Sequence, residues 1–260
     1  MLQATGLGIT LNRRAILTRV DFHAAAGQMT CIVGPNGSGK TTLLRALTGE
    51  LRGTGTVTLD GDDLAAMTPE ALAQRRAVLP QAMPLGFPFT VLEVVRLGLT
   101  GRQALAPDAA HLPMRALERV GLRGFAGRFF QELSGGEQQR AHLARVLLQV
   151  WQPVHAGQPR WLFLDEPVAA LDIGHQLQVM RLARGFAGAG GGVVAVMHDL
   201  NLTAMAADSV CLMARGEVVA QGPVSRVFAD DRLSAAYGCP VRVSTPPAEG
   251  TPYILPHAAA

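Results

Sequence analysis

The run Gly34-Pro35-Asn36-Gly37-Ser38-Gly39-Lys40-Thr41 fits G-x-x-x-x-G-K-[ST] and stands between an apolar strand-like run and a helix-like run. That placement commits the chain to a strand–loop–helix unit that binds ATP or GTP. The glycines let successive backbone N–H groups turn inward toward a phosphate, where larger side chains would obstruct them. A helix starting near Lys40 adds its positive dipole end to the same point. Lys40 is expected to reach the β- and γ-phosphates and the Thr41 hydroxyl to hold Mg²⁺. Asn36, Gly37, Ser38, Gly39 and Thr42 complete the expected phosphate cradle.

With 260 residues, of which 48% are hydrophobic, the chain can bury a sizeable core. Its formal net charge of +3 is small for this length. No dense Lys/Arg run is present either, so a nucleic-acid partner is not indicated. The most apolar stretch, Leu79 to Leu99, is interrupted by Pro80, Pro84, Pro88, Glu93 and Arg96 and predicts no membrane span. The first residues carry no basic segment followed by an apolar core, so no secretory signal is expected. Cys31, Cys211 and Cys239 are odd in number and far apart, which suits buried or incidental thiols better than disulfides or zinc.

Residues 2–33 read as short strands, Leu7–Leu11, Ala15–Phe22 and Met29–Val33, and Gly55–Leu59 reads as another that ends at an Asp60-Gly61 turn. This predicts a mixed or antiparallel amino-terminal sheet. From about residue 90 to 150 the apolar spacing turns helical, through Val91, Val94, Val95, Met114, Leu117, Val120 and Leu122. A helical arm inserted in one domain is expected there. Trp161–Leu164 and Val193–Met197 are continuous apolar runs, as for strands buried on both faces of a parallel sheet. Asp165 and Glu166 follow the first run, and His198 and Asp199 the second. Ligands bind at the carboxyl ends of such strands, so both groups should converge on the phosphate loop. The Gly- and Ala-rich stretch Gly185–Gly192 reads as a flexible connection. From Pro240 onward the prolines and final alanines predict an irregular surface tail in which His257 is an exposed residue.

Leu133-Ser134-Gly135-Gly136-Glu137-Gln138-Gln139-Arg140 resembles the LSGGQ-type signature of ABC ATPases, with Glu137 in place of the first glutamine. Ser134, Gly135 and Gly136 offer hydroxyl and N–H donors at a helix start, a second anion-binding element on one chain. They would equally serve as a well-capped helix start. The rest of the ABC pattern follows in order over residues 2–238. Asp165 resembles the Walker B aspartate that holds Mg²⁺, and Glu166 the glutamate that polarises the attacking water. Gln81 resembles the Q-loop glutamine, which touches the metal and that water. Ala170-Leu171-Asp172 resembles the D-loop, and His198 the switch histidine at the γ-phosphate. The resemblance implies a P-loop NTPase fold of ABC type over residues 1–239, with an amino-terminal sheet, a parallel core sheet and the helical arm. Residues 240–260 form the tail.

The resemblance also implies an ATPase using ATP and Mg²⁺, with Glu166, His198, Gln81 and Lys40 in the chemistry. Thr41, Gln81 and Asp165 would serve the metal. One copy of each motif implies a head-to-tail homodimer, in which the signature and Asp172 of one chain close over the other's phosphate loop. A separate polytopic permease dimer and a periplasmic substrate-binding protein are the further partners implied, with the chain on the cytoplasmic face of the inner membrane. Where the family places an aromatic residue against adenine, this chain has Arg13 and Arg14. Either guanidinium could stack on the base, or both could be solvated. Ala82 to Phe89 could form a groove for a permease helix or pack inside the arm. His198–Thr203 resembles motors of the iron-siderophore, haem and vitamin B12 import group. Leu147–Trp161, leading to Leu171–Gln176, resembles haem-import ATPases, whose relatives have a shorter connection before Walker B. Siderophore or cobalamin import stays open, as does a soluble ABC ATPase outside transport.

Overall fold

The computed structural model describes residues 1–83, 85–99, 109–247 and 252–255. Two sheets share the load. The first holds β1 (Leu2–Leu11), β2 (Arg14–Ala24), β4 (Thr54–Leu59) and β5 (Asp62–Asp63) in the order β2-β1-β4-β5. Every pair in it is antiparallel, so the sheet is not mixed. Two-residue turns join β1 to β2 and β4 to β5, as antiparallel pairs allow, while β4 comes back beside β1 only after β3 (Met29–Val33) and helix α1 (Lys40–Leu47). Leu2, Ala4, Leu7 and Ile9 of β1 are buried, alternating with a period of two on either side of an irregularity between Ala4 and Leu7.

The second sheet runs β12-β11-β3-β10-β9-β6, with β3 at Met29–Val33, β6 at Arg76–Leu79, β9 at Trp161–Asp165, β10 at Gly192–Val196, β11 at Ser209–Ala214 and β12 at Glu217–Gly222. Its neighbours β11, β3, β10, β9 and β6 are parallel, and β12 is an antiparallel edge strand. The core sheet is therefore mixed, with five parallel strands and a closing hairpin. β3, β9 and β10 are buried along their whole length. Met29, Leu162, Leu164, Val193 and Ala195 face the helical side, while Ile32, Trp161, Phe163, Val194 and Val196 face the antiparallel sheet and helix α1 (Lys40–Leu47). Each Val, Leu, Ile, Met or Phe among them, fully withdrawn from water, contributes about 1.5–3 kcal/mol. That burial explains why these strands read as unbroken apolar runs.

The arm holds α3 (Val91–Arg96), α4 (Leu112–Arg119) and the first turns of α5 (Gly135–Gln149), as the helical spacing predicts. Arg140 Nη1 donates to the Val120 and Gly121 carbonyls and so ties α5 to the end of α4. Gln149 Nε2 donates to Ala73 and Arg76 and fixes the far end of α5 to the start of β6. The connection before β9 is a small hairpin, Val154–His155 against Gln158–Pro159. Leu85 and Phe89 pack against the core while Phe87 stands 70% exposed, so the segment after Gln81 divides between burial and surface. Pro84 of that segment lies outside the described residues.

Gly185–Gly192 is not a flexible connection. Helix α6 (Ile173–Gly188) runs into it because Phe186 and Ala187 are buried there. Residues 189–191 make the turn, and Gly192 already belongs to β10. A Cβ on Gly191 would come within 2.3 Å of the Phe186 ring, and one on Gly192 within 2.3 Å of Trp161. These glycines make room for two aromatic rings. From Pro240 the chain is irregular over the residues described, yet its start is pinned to helix α9 (Asp230–Tyr237): Val243 N donates to Asp230 and Val241 N to Ser234. His257 lies outside the described residues. Cys31 and Cys211 are buried and Cys239 is exposed, with burial pushing both inner thiols up to about 12.

His142 of α5 is buried, its ring 4.8 Å from that of Phe130. Burial, helped by Arg145, lowers its pKa to about 4. The folded chain thus requires a neutral ring, whereas the unfolded chain takes up a proton near pH 6.5. Stability is present above pH 6.5 and is lost as pH falls toward 4, by up to roughly 3 kcal/mol. Urea midpoints measured from pH 7 to 4 should fall more steeply for the wild type than for His142→Leu. Parallel slopes would remove His142 from the acid response.

Candidate functional site: a nucleotide cleft at the carboxyl ends of the parallel strands

Each parallel strand ends beside the same cleft. β3 runs into residues 34–39, β6 into Pro80-Gln81, β9 into Glu166, β10 through Met197 into His198, and β11 into Arg215. The cleft has a volume of about 980 Å³ and is lined by Asn36, Gly37, Gly39, Lys40, Thr41 and Thr42. Gln81, Glu166 and His198 also line it, as the sequence predicts, whereas Asp199 caps the next helix by accepting from Asn201 N and Leu202 N. The Ser38 side chain is buried and is not among the groups lining the cleft, and its carbonyl accepts from Gly216 N at 3.1 Å.

Gly39, at φ 97, caps α1, and Lys40 begins the helix. Lys40 Nζ donates to the carbonyls of Gly34 and Pro35 at 2.9 and 3.1 Å, folding the side chain back over the loop. Burial lowers its pKa, against the opposing pull of Glu166 and Asp165. Thr41 Oγ1 donates to Asp165 Oδ1 at 3.2 Å. Burial raises the Asp165 pKa, partly offset by that hydrogen bond. Thr41, Asp165 and Gln81 line one adjoining hollow of about 320 Å³. Hard oxygen donors, few in number, suit Mg²⁺, which keeps several waters and takes phosphate oxygens. Among the described residues no cluster of three or more His, Cys, Asp or Glu offers a fuller cage.

Glu166 sits at the centre of a hydrogen-bonded group. Gln81 Nε2 donates to its Oε2 at 3.0 Å, and His198 Nε2 meets its Oε1. Its backbone lies in the left-handed region at φ 51, a conformation that costs about 1–3 kcal/mol for a residue with a side chain. Two contacts hold it there: Glu166 N donates to Val196 O at 3.2 Å, and Gln139 Nε2 donates to Glu166 O at 3.2 Å. Gln139 comes from α5, so the helix that follows the signature also fixes Glu166. Its role was not legible in the sequence.

Two groups stand outside the cleft. Ser134 caps α5 in a reciprocal box with Glu137, whose carboxylate accepts from Ser134 N at 2.8 Å. Those bonds hold the Glu137 pKa below its usual range. The signature is thus a well-capped helix start, and Glu137 serves the cap as a third-position carboxylate should. Ser134 and Gly135 are exposed, and a Cβ on Gly136 would come 3.1 Å from Ala170 O, which sets the signature against residues 170–172. Asp172 caps α6, accepting from His175 N at 2.9 Å. Neither the signature nor Asp172 is among the residues that line the chain's own cleft.

The hairpin turn between β1 and β2 separates the two arginines. Asn12 and Arg13 occupy the turn in left-handed conformations, whereas Arg14, first residue of β2, lines the cleft. Arg13 does not line it. Ile16, Arg215 and Gly216 also line the cleft and were missed in the sequence. The one available signal was the Arg215-Gly216 turn pair between two apolar runs.

Comparison with known proteins agrees with this geometry. The family model described as "ABC transporter" matches residues 17–169. The chain is 60% identical over 259 residues to the hemin import ATP-binding protein HmuV of Jannaschia sp. (strain CCS1), covering 100% of this chain and 95% of that one. The protein of the same name from Roseobacter denitrificans (strain ATCC 33942 / OCh 114) is 57% identical over 99% of this chain and 98% of its own. Among solved structures, the dimeric post-hydrolysis state of the ATP-binding cassette MJ0796 bound to ADP and Pi superposes with a TM-score of 0.72 at 25% identity, over 86% of this chain and 99% of that one. With its phosphate loop, strand-end carboxylates and signature helix set as described, and with relatives alike over the full length, the chain belongs to the ABC transporter family as an ATP-hydrolysing subunit.

Proposed function

We propose that this chain is the ATP-driven motor of a membrane importer for haem. The observation that carries the cargo is the 60% identity, end to end, with a hemin import ATP-binding protein. No helix among the described residues is long and apolar enough to cross a membrane, so a separate permease would supply the pathway. The motor would work as a peripheral subunit on the cytoplasmic face of the inner membrane, and a periplasmic binding protein would deliver haem to the permease.

The phosphoryl-transfer roles follow from position. Lys40 and the N–H groups of residues 36–42 neutralise the phosphates, and the transition state draws on the same charges. Thr41, Asp165 and Gln81 would hold Mg²⁺, which supplies positive charge against the β- and γ-oxygens when bound. Glu166 takes the direction of the attacking water, with Gln81 and His198 on either side of its carboxylate. His198 stands ready to leave that carboxylate for the γ-phosphate. Arg14 lays its guanidinium against the adenine in place of an aromatic ring. Ser134–Gly136 and Asp172, which do not line the chain's own cleft, close over the cleft of a second copy. The dimeric ADP- and Pi-bound neighbour supports a pairing of two copies.

The test is ATP hydrolysis by the chain assembled with its permease in nanodiscs, with the binding protein added. Stimulation by the haem-loaded binding protein, and none by cobalamin or a ferric siderophore, is the expected result. Stimulation by either of those alone would reassign the cargo. Failure to assemble with any permease would point to an ABC ATPase outside transport.

A further inference from the structure

We propose that Arg215 binds the nucleotide, pairing with Arg14 as the second plane of a guanidinium clamp on the base. This rests on the reading of the cleft as the nucleotide site. β11 is the fifth parallel strand and the neighbour of β3, and its carboxyl end delivers Arg215 to the cleft as the other four deliver the phosphate loop, Gln81, Glu166 and His198. The turn is locked to the phosphate loop. Gly216 N donates to Ser38 O at 3.1 Å, and Thr18 N donates to Gly216 O at 3.0 Å. A Cβ on Gly216 would lie 2.3 Å from Ile16 O, two residues along from Arg14. The exposed Arg215 is thus carried at the Arg14 end of the cleft.

Arg215 adopts φ 51 in a two-residue turn where Ala214 pairs with Glu217. Asn, Asp or Gly suit that position, and an arginine is disfavoured there. A residue kept against the turn's preference and facing a ligand cleft is a sign of use. No Phe, Tyr or Trp is among the described residues that line the cleft. The planar groups left at this end are the two guanidiniums, which stack on π-faces.

Arg215→Asn and Arg215→Gly keep or improve the turn, so their thermal midpoints should equal or exceed that of the wild type. Equilibrium binding of the non-hydrolysable analogue AMP-PNP, and of inorganic tripolyphosphate as a base-free probe, separates stacking from charge. Both variants should weaken AMP-PNP binding by about tenfold, the size of a partly desolvated cation–π contact, and leave tripolyphosphate unchanged. Arg215→Lys should remain weak, because it keeps the charge and loses the plane. Unchanged AMP-PNP affinity, or equal losses for the two probes, would overturn the clamp while leaving the nucleotide site intact. Wild-type protein that bound neither probe would overturn the site reading and the clamp with it.

Discussion

Glu166→Gln is expected to lower steady-state ATP hydrolysis by about 10²–10⁴-fold, the range for losing a positioned general base, while ATP binding survives. The substitution is nearly isosteric. Glutamine can still meet Gln81 Nε2 and His198, so the hydrogen-bonded group and the left-handed backbone at Glu166 persist. What disappears is the anion that draws a proton from water. Near-wild-type turnover would take Glu166 out of the chemistry. Retained binding with lost turnover is also the condition in which an ATP-held dimer would accumulate, and sedimentation of the same variant reads it.

Gly34→Ala is expected to cost roughly 2–4 kcal/mol of stability, combining overpacking with backbone strain. At φ 150 the position favours glycine, and a Cβ would stand 2.1 Å from the carbonyl oxygen of Met213. Backbone cannot swing aside as a side-chain tip can. The clash falls where β3, the phosphate loop and β11 meet, so the cleft should deform as stability drops. A chemical denaturation curve beside an AMP-PNP titration reads both effects. Loss of binding with full stability would mean the loop relaxes locally, and no loss of either would contradict the close packing of Gly34 on β11.

Much of this site was legible in the sequence because its chemistry is written next to its structure. Asp165, Glu166 and His198 directly follow apolar runs, and those runs are apolar because the strands are buried on both faces. The phosphate loop carries its own geometry in its glycines. Legibility stopped where a partner came from far along the chain. Arg215 lies 175 residues beyond Lys40 and reaches the cleft only through the β11–β3 pairing. The choice between Arg13 and Arg14 depended on which residue the hairpin turn consumed. Gly185–Gly192 misled because small residues suit loose chain and close aromatic packing alike, and only the Phe186 and Trp161 rings distinguish the two.

Haem transport in proteoliposomes containing this chain and its permease, with ATP on the motor side, tests the account most directly. ATP-dependent haem movement that falls to background in Glu166→Gln is the predicted result. ATP hydrolysis by the assembled complex with no haem movement would contradict it.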